Sequence, residues 1–371
     1  MPEQIKIDAV VVGAGVIGLA IAAELSQSVQ VVVIERHDQC GQETSSRNSE
    51  VIHSGIYYPE ASLKTSLCIE GRDRLYQLCQ ARDIAHSRIG KHLVIVNDVD
   101  EGYAERLWEH CRKIGMECQR KTGAQVTKEE PSLVVRESLF FPNSGIVDSH
   151  SLMVELRAEI ERNGGIFCFN HRIERIERLS GEWLLTVRPN RGEVFSVLSC
   201  LVVNAAGLGA AELSNEALGV EDYEHRYCRG RYFQMVESSR SCFRHLIYPV
   251  PDKDGVGVHV TIDMGGGVRL GPDVDWVLGQ KYDGIEKLYE VDWSRLRPVF
   301  AESVRKYCPG VEDEDLIPGF VGVRPKLFIK GEAYQDFLIE NHHGWIHALG
   351  IESPGLTASL AIASYVKEKL L

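Results

Sequence analysis

The chain has 371 residues, 44% of them hydrophobic and 25% charged, and a formal net charge of -12. Its length suggests two or three units of ordinary domain size with a sizeable buried core, and its composition excludes a disordered or fibrous chain. The acidic balance, with no basic run, excludes nucleic acid as a partner, because a phosphate backbone needs clustered Lys and Arg.

The chain opens "MPEQIKIDAVVVGAGVIGLAIAAELSQS", a short positive start before an apolar stretch that superficially resembles an export signal. Its glycines belong to a nucleotide site that must stay in the mature fold, so it reads as structure, and the chain as cytoplasmic. No later stretch is apolar for long enough to span a bilayer. "IKIDAVVVGAG" is a β-branched run ending in glycines, "VIGLAIAAELSQ" has helical periodicity and "VQVVVIER" is a second β-branched run. Together they predict a βαβ unit with parallel strands. Gly13, Gly15 and Gly18 make GxGxxG at the strand-helix turn: the first for the tight turn, the second for close approach of a pyrophosphate, the third for helix-sheet packing. Glu35 ends the next strand about 20 residues on, where a carboxylate accepts from ribose hydroxyls, and Arg36 joins it at the site.

Next comes "SSRNSEVIHSGIYYP", residues 45 to 59. A nicotinamide enzyme would continue with further βαβ units. Donors here, Ser45, Ser46, Arg47 and Asn48, suit the second phosphate and ribityl chain of a longer cofactor, so FAD fits better than NAD. Residues 61 to 80 predict a helix with Leu63, Leu67, Leu75 and Leu78 on one stripe, and residues 101 to 114 and 149 to 163 predict two more. "GKHLVIVN", "ESLFFP", "GRYFQMV", "HLIYPVP", "VGVHVTID" and "GVRLGP" predict an antiparallel sheet. In "VGVHVTID", Val256, Val258, Val260 and Ile262 alternate with Gly257, His259 and Thr261.

"VVNAAG" is a buried strand whose Ala206 and Gly207 let backbone and cofactor meet closely. In "GIESPGLTAS", Gly350, Ile351, Ser353, Gly355, Leu356 and Thr357 surround a helix start whose free N-H groups suit the N1-C2=O edge of a reduced, anionic flavin. Ten cysteines are spread without CxxC or Cys/His metal spacing; they read as reduced thiols, and no metal site is expected.

These stretches, with "NSEVIHSGIYYP", "SLKTSLCIEG", "GIVD", "NAAGL", "RGRYF", "IYPVP", "GVH", "GVRPKL" and "GIESPGLTASLAIA", resemble the D-amino acid oxidase superfamily, and more closely its L-2-hydroxyglutarate dehydrogenase family. The resemblance spans nearly the whole chain. It implies a mixed α/β and α+β fold: a Rossmann-like FAD-binding domain of the GR2/DAO type, and an antiparallel-sheet substrate domain roofing the flavin. The expected boundaries are 1-85, 145-215 and 320-371 for the first, and 86-144 and 216-319 for the second. After "IYPVP" the chain has only "DKDGVGVH", where the family usually has a longer segment.

The implied reaction is oxidation of the α-hydroxyl of L-2-hydroxyglutarate to 2-oxoglutarate, with hydride leaving Cα and a base taking the hydroxyl proton. Two histidines compete for that base, His53 first and His259 second. Arg324 in "GVRPKL" matches the arginine with which related amine-oxidising flavoenzymes clamp the substrate α-carboxylate, a bidentate task suited to guanidinium. Lys326 is a second cation for a dicarboxylate, and Tyr248, Tyr232 and Arg231 are further candidates for the distal pocket. The implied electron acceptor is a quinone or oxygen, with peripheral contact at the inner face of a membrane left open. An amino-acid oxidase on the same scaffold is the alternative reading, and an FAD protein without turnover a third.

Overall fold

The computed structural model describes residues 4–236, 243–251, 257–277, 279 and 287–370; Cys242 and Val256 lie outside the described residues. The expected βαβ unit forms as strand Gln4–Val12, helix Val16–Ser26 and strand Val31–Glu35, with the two strands parallel. All five residues of Val31–Glu35 are buried, as a parallel strand covered on both faces requires. The sheet runs His171–Leu179, Glu182–Pro189, Phe195–Asn204, Gln4–Val12, Val31–Glu35 and Ile166–Phe169 in spatial order. The hairpin Leu338–His342 and Trp345–Leu349 joins it, Trp345–Leu349 pairing in parallel with Val202–Asn204. Helices Val16–Ser26, Leu63–Ala81, Ser149–Arg162 and Gly355–Tyr365 pack on one face, and Ala210–Leu218 lies against the other.

A ten-stranded sheet forms the second layer, dominated by the antiparallel pair Tyr223–Met235 and Leu316–Ile329. Pairing within it is antiparallel except for Leu246–Pro249 beside Lys91–Ile95. Helix Trp293–Arg305 seals its outer face through Phe300, Ala301 and Val304. That helix and the short Gly123–Glu129 helix were not expected. Pro298 inside Trp293–Arg305 obscures the first, and seven residues are too few to show a period in the second.

Two features depart from the sequence-based expectations. Residues 320 to 329 belong to the second sheet, because Val321, Val323 and Leu327 are buried in its ladder with Tyr223–Met235; the chain returns to the first sheet only at Leu338. In "VGVHVTID" only Val260–Ile262 is a strand, since Gly257 turns with φ +69°.

Two buried histidines set an acid limit on this fold. Burial pushes the imidazole of His92 down to about 3, helped by His245 and Lys121, and that of His225 down to about 4. The unfolded chain, with histidines near 6.5, therefore binds protons that the folded chain refuses, and stability falls as pH drops from about 6.5 towards 4. Each such histidine contributes at most about 1.4 kcal/mol per pH unit in that window. The expected result is a lower midpoint of thermal unfolding at pH 5 than at pH 7.5; an equal or higher midpoint at pH 5 would contradict it.

Candidate active site

A cavity of about 1140 Å³ runs between the two sheets, larger than the ~300–1,000 Å³ of ordinary small-ligand pockets. Its floor is the carboxyl ends of the parallel strands, where Val12, Ile34, Glu35, Ala205 and Ala348 reach its wall. Gly13 has φ +100°, and a Cβ there would lie 2.5 Å from the Ala205 carbonyl oxygen, so the turn admits only glycine. At Gly15 a Cβ would come within 3.0 Å of Ser45 Oγ, which accepts from Val16 N at 3.0 Å. The helix start is thus left as a backbone cradle edged by a hydroxyl, the donor set that a pyrophosphate requires. Glu35 is fixed beside it: Oε2 accepts from Ala14 N at 2.7 Å and Oε1 from His37 N at 2.8 Å, and burial raises its pKa. Gly18 lies behind the wall and serves helix packing.

The 44–48 loop divides its labour differently from the expectation. Ser45 and Arg47 line the cavity, and the Arg47 guanidinium lies 4.4 Å from the Tyr289 ring. Ser46 is exposed and off the wall, its hydroxyl directed to Glu43 O at 3.4 Å. Asn48 reaches the wall, but its amide donates to Ser45 O at 2.7 Å and accepts from Glu50 N at 2.7 Å, so it shapes the loop. Arg36 also lines the cavity and is paired with Glu43 at 2.6 Å. Ala206, Gly207, Ile351, Ser353, Gly355 and Leu356 all reach the wall, whereas Gly350 and Thr357 do not. Gly350 turns the chain with φ +66°; Thr357 Oγ1 accepts from His53 N at 3.0 Å and donates to Val51 O at 3.2 Å.

At the far end His53 and His259 both line the cavity. His53 Nε2 sits 3.2 Å from Ser353 Oγ, while its buried Nδ1 has no hydrogen-bond partner among the described residues. Burial, then Lys91 and His259, push its imidazole down to about 3, which keeps it neutral at ordinary pH. His259 stacks on Tyr248, with ring centroids 3.6 Å apart and planes 13° from parallel. Tyr232 bonds Ser49 Oγ at 2.9 Å and stacks on Phe320.

Arg324 projects from Leu316–Ile329, its Nη2 anchored by Arg229 O at 2.9 Å and Asp273 O at 2.8 Å. Lys326, two residues on, faces the same cavity, as strand alternation requires. Its Nζ is not free: it lies 2.7 Å from Glu352, which also takes Lys64 at 3.2 Å. Burial works to raise the Glu352 carboxyl, but Lys326, Lys64 and Arg324 outweigh it and hold the group ionised. Arg231 is a correction. Its guanidinium is committed to Asp273 and Asp275 and does not line the cavity, so it braces the segment that carries Pro272.

Lys64, Glu352, Tyr57 and Tyr58 are wall residues that the sequence reading did not single out, although "SLKTSLCIEG" and "GIESPG" contain the first two. A charge inside an otherwise apolar "GIESPGLTASLAIA" was the available signal. Lys91 is wholly buried behind the wall among Tyr57, Tyr248 and Phe141, and burial brings its ammonium down to about 7.

A Rossmann-like floor, a glycine cradle and a cavity with the volume for a dinucleotide define a dinucleotide-dependent oxidoreductase. The profile of the DAO family, FAD dependent oxidoreductase, matches residues 8–369, and the chain belongs to that family. FAD is therefore its cofactor. It is 35% identical to the L-2-hydroxyglutarate dehydrogenase, mitochondrial, of Arabidopsis thaliana over 99% of this chain and 84% of the relative. It is 27% identical to the L-2-hydroxyglutarate dehydrogenase of Escherichia coli (strain K12) over 98% and 93%. In fold it is similar to the FAD-bound, dithionite-reduced L-alpha-glycerophosphate oxidase of Mycoplasma pneumoniae, with TM-score 0.86, 24% identity and coverage of 97% and 93%. Among the described residues no helix is long and apolar enough to cross a membrane.

Gly13→Ala is expected to yield protein with little flavin, because the added Cβ strikes the backbone of the adjacent strand. An unchanged flavin-to-protein absorbance ratio would refute that account of the turn.

Proposed function

We propose that the chain oxidises L-2-hydroxyglutarate to 2-oxoglutarate. The observation that carries this reading is the wall around Glu352, where Arg324, Lys326 and Lys64 set three cations against one carboxylate. That excess of positive charge suits a dicarboxylate, and the neutral His53 beside it suits a hydroxyl-bearing carbon.

When bound, FAD supplies the two-electron acceptor for the hydride. Gly13, Gly15, Ser45, Glu35 and Arg36 would hold its nucleotide end, and Ala206, Gly207, Ile351, Ser353, Gly355 and Leu356 the remainder. Arg324 would clamp the α-carboxylate: two backbone carbonyls fix Nη2 and so orient the planar fork. Lys326 and Lys64 would turn towards the distal carboxylate while sharing Glu352, with Tyr232 and Tyr248 lining that end. His53 would take the hydroxyl proton at Nε2, the ring nitrogen that meets Ser353 Oγ at 3.2 Å. His259 would orient Tyr248 by stacking. For the electron acceptor the proposal is a quinone or oxygen, reached in the cytoplasm or peripherally at a membrane; reoxidation of the reduced flavin in air separates the two acceptors.

Anaerobic mixing with L-2-hydroxyglutarate should bleach the flavin, with the D enantiomer and L-glutamate inactive; bleaching by L-glutamate alone would overturn the substrate. Arg324→Ala should raise KM about 30-fold or more, the ~2 kcal/mol expected for a truncated charge pair, with flavin retained. An unchanged KM would remove the clamp. His53→Ala should slow flavin reduction by about 10²–10⁴-fold. With His53 neutral, the parent's reduction rate should show no acid limb between pH 5 and 8, and an inflection near 6.5 would point to a different base.

A further inference from the structure

We propose that Glu340, His342 and His347 form a binding site for one divalent transition-metal ion of the Zn²⁺ class. The three sit on the hairpin Leu338–His342 and Trp345–Leu349, joined by His343 (φ +55°) and Gly344 (φ +89°), a left-handed pair that makes a tight two-residue turn. Register does the rest. Glu340 and His342 are two apart on one strand and so share a face, and Glu340 pairs directly with His347 on the other.

Glu340 Oε2 lies 3.4 Å from His342 Nε2 and 3.6 Å from His347 Nε2, and one donor atom from each of the three residues falls within 4.8 Å of the others. Those separations are long for hydrogen bonds. They are close to the ~3.3 Å between neighbouring ligands of a tetrahedral ion with ~2.0–2.1 Å bonds.

The side chain of His347 is 0% exposed, and neither of its ring nitrogens has a hydrogen-bond partner among the described residues; nor has the buried Nε2 of His342. Buried polar atoms are rarely left so, and two of the three point towards one exposed carboxylate. Two imidazoles and a carboxylate with one side open to solvent match a zinc site that keeps a water as fourth ligand. The Tyr223 ring closes the protein side by meeting His347 edge-on at 5.1 Å.

A second grouping, His92, Glu129 and His245, has comparable donors, but Lys121 already sits on both oxygens of Glu129 at 2.7 and 2.8 Å. An ammonium in that place repels a divalent ion. Trp345–Leu349 runs through Gly350 into residues 351–355 on the flavin cavity wall. An ion there would staple the edge strand Leu338–His342 to the strand that positions this segment.

The test uses the FAD-loaded full chain, stripped with a chelator and titrated with Zn²⁺ by calorimetry at pH 7.5, with bound metal counted after gel filtration. One Zn²⁺ per chain is expected. Glu340→Gln and His342→Ala should each weaken binding about ten-fold or more while keeping the parent's flavin content, which shows that they fold. His245→Ala should bind as the parent does. Co²⁺ in place of Zn²⁺ should give the visible bands of a tetrahedral ion, lost in His342→Ala. No retained Zn²⁺, binding untouched by both hairpin substitutions, or binding lost in His245→Ala would each overturn the site.

Discussion

A single buried carboxylate ties the active-site wall together. Glu352, with its side chain 10% exposed, takes Lys64 from the first turn of Leu63–Ala81 and Lys326 from Leu316–Ile329. Three segments distant in sequence are thereby held at one point. A buried ion pair is weak evidence for stability but strong evidence for geometry, because removing one partner strands a charge. Here one anion answers two cations, so the cluster keeps a positive excess at the wall. Asp336 reinforces the arrangement by accepting from the backbone N-H groups of Leu63 and Lys64 at 2.8 Å each, which caps the helix and aims Lys64.

The adjoining stretch of wall depends on a similar use of hydroxyls. Thr357, in the first turn of Gly355–Tyr365, binds the backbone of Val51 and of His53, while Ser353 meets the His53 ring. The C-terminal helix therefore presents its start to the cavity and also fixes the imidazole. Lys91 behind this wall has the faces of Tyr57 and Tyr248 for neighbours, and its charge helps keep His53 neutral. Position and protonation state of His53 thus come from different parts of the chain. The first sheet supplies the cradle at its strand ends, where ligands of open α/β sheets bind; the second sheet supplies Arg324, Lys326, Tyr232 and Tyr248.

Local pattern was enough to read the βαβ unit, the glycine turn with Glu35, the helices at 61 to 80, 101 to 114 and 149 to 163, and several strands of the second sheet, though not Leu316–Ile329 as one of them. Those signals are short-range: period 2, period 3.6, and glycine where φ must be positive. His259, Ser45, Ile351, Ser353, Gly355 and Leu356 were named from their own stretches and Arg324 and His53 through the family resemblance, and all of them reach the cavity wall. Helix Trp293–Arg305 was not legible, because Pro298 speaks against a helix locally and only burial of Phe300 and Val304 outweighs it.

The sequence by itself determined the nucleotide cradle, the acidic solvation of the surface and the inventory of charged and aromatic groups from which a site is built. Only the tertiary structure decided which of those groups are free to act. Arg231 and Arg324 are both arginines near glycines on paired strands, yet Asp273 and Asp275 neutralise the first while backbone carbonyls merely orient the second. Lys326 is a lone cation in sequence and a partner of Glu352 in space. Asn48 and Thr357 carry the right donors for a cofactor and spend them on the protein's own backbone. A side chain's charge is written in its residue type, but its availability depends on partners, two or three residues away for Asn48 and tens to hundreds away for Arg231, Lys326 and Thr357, that no local period records.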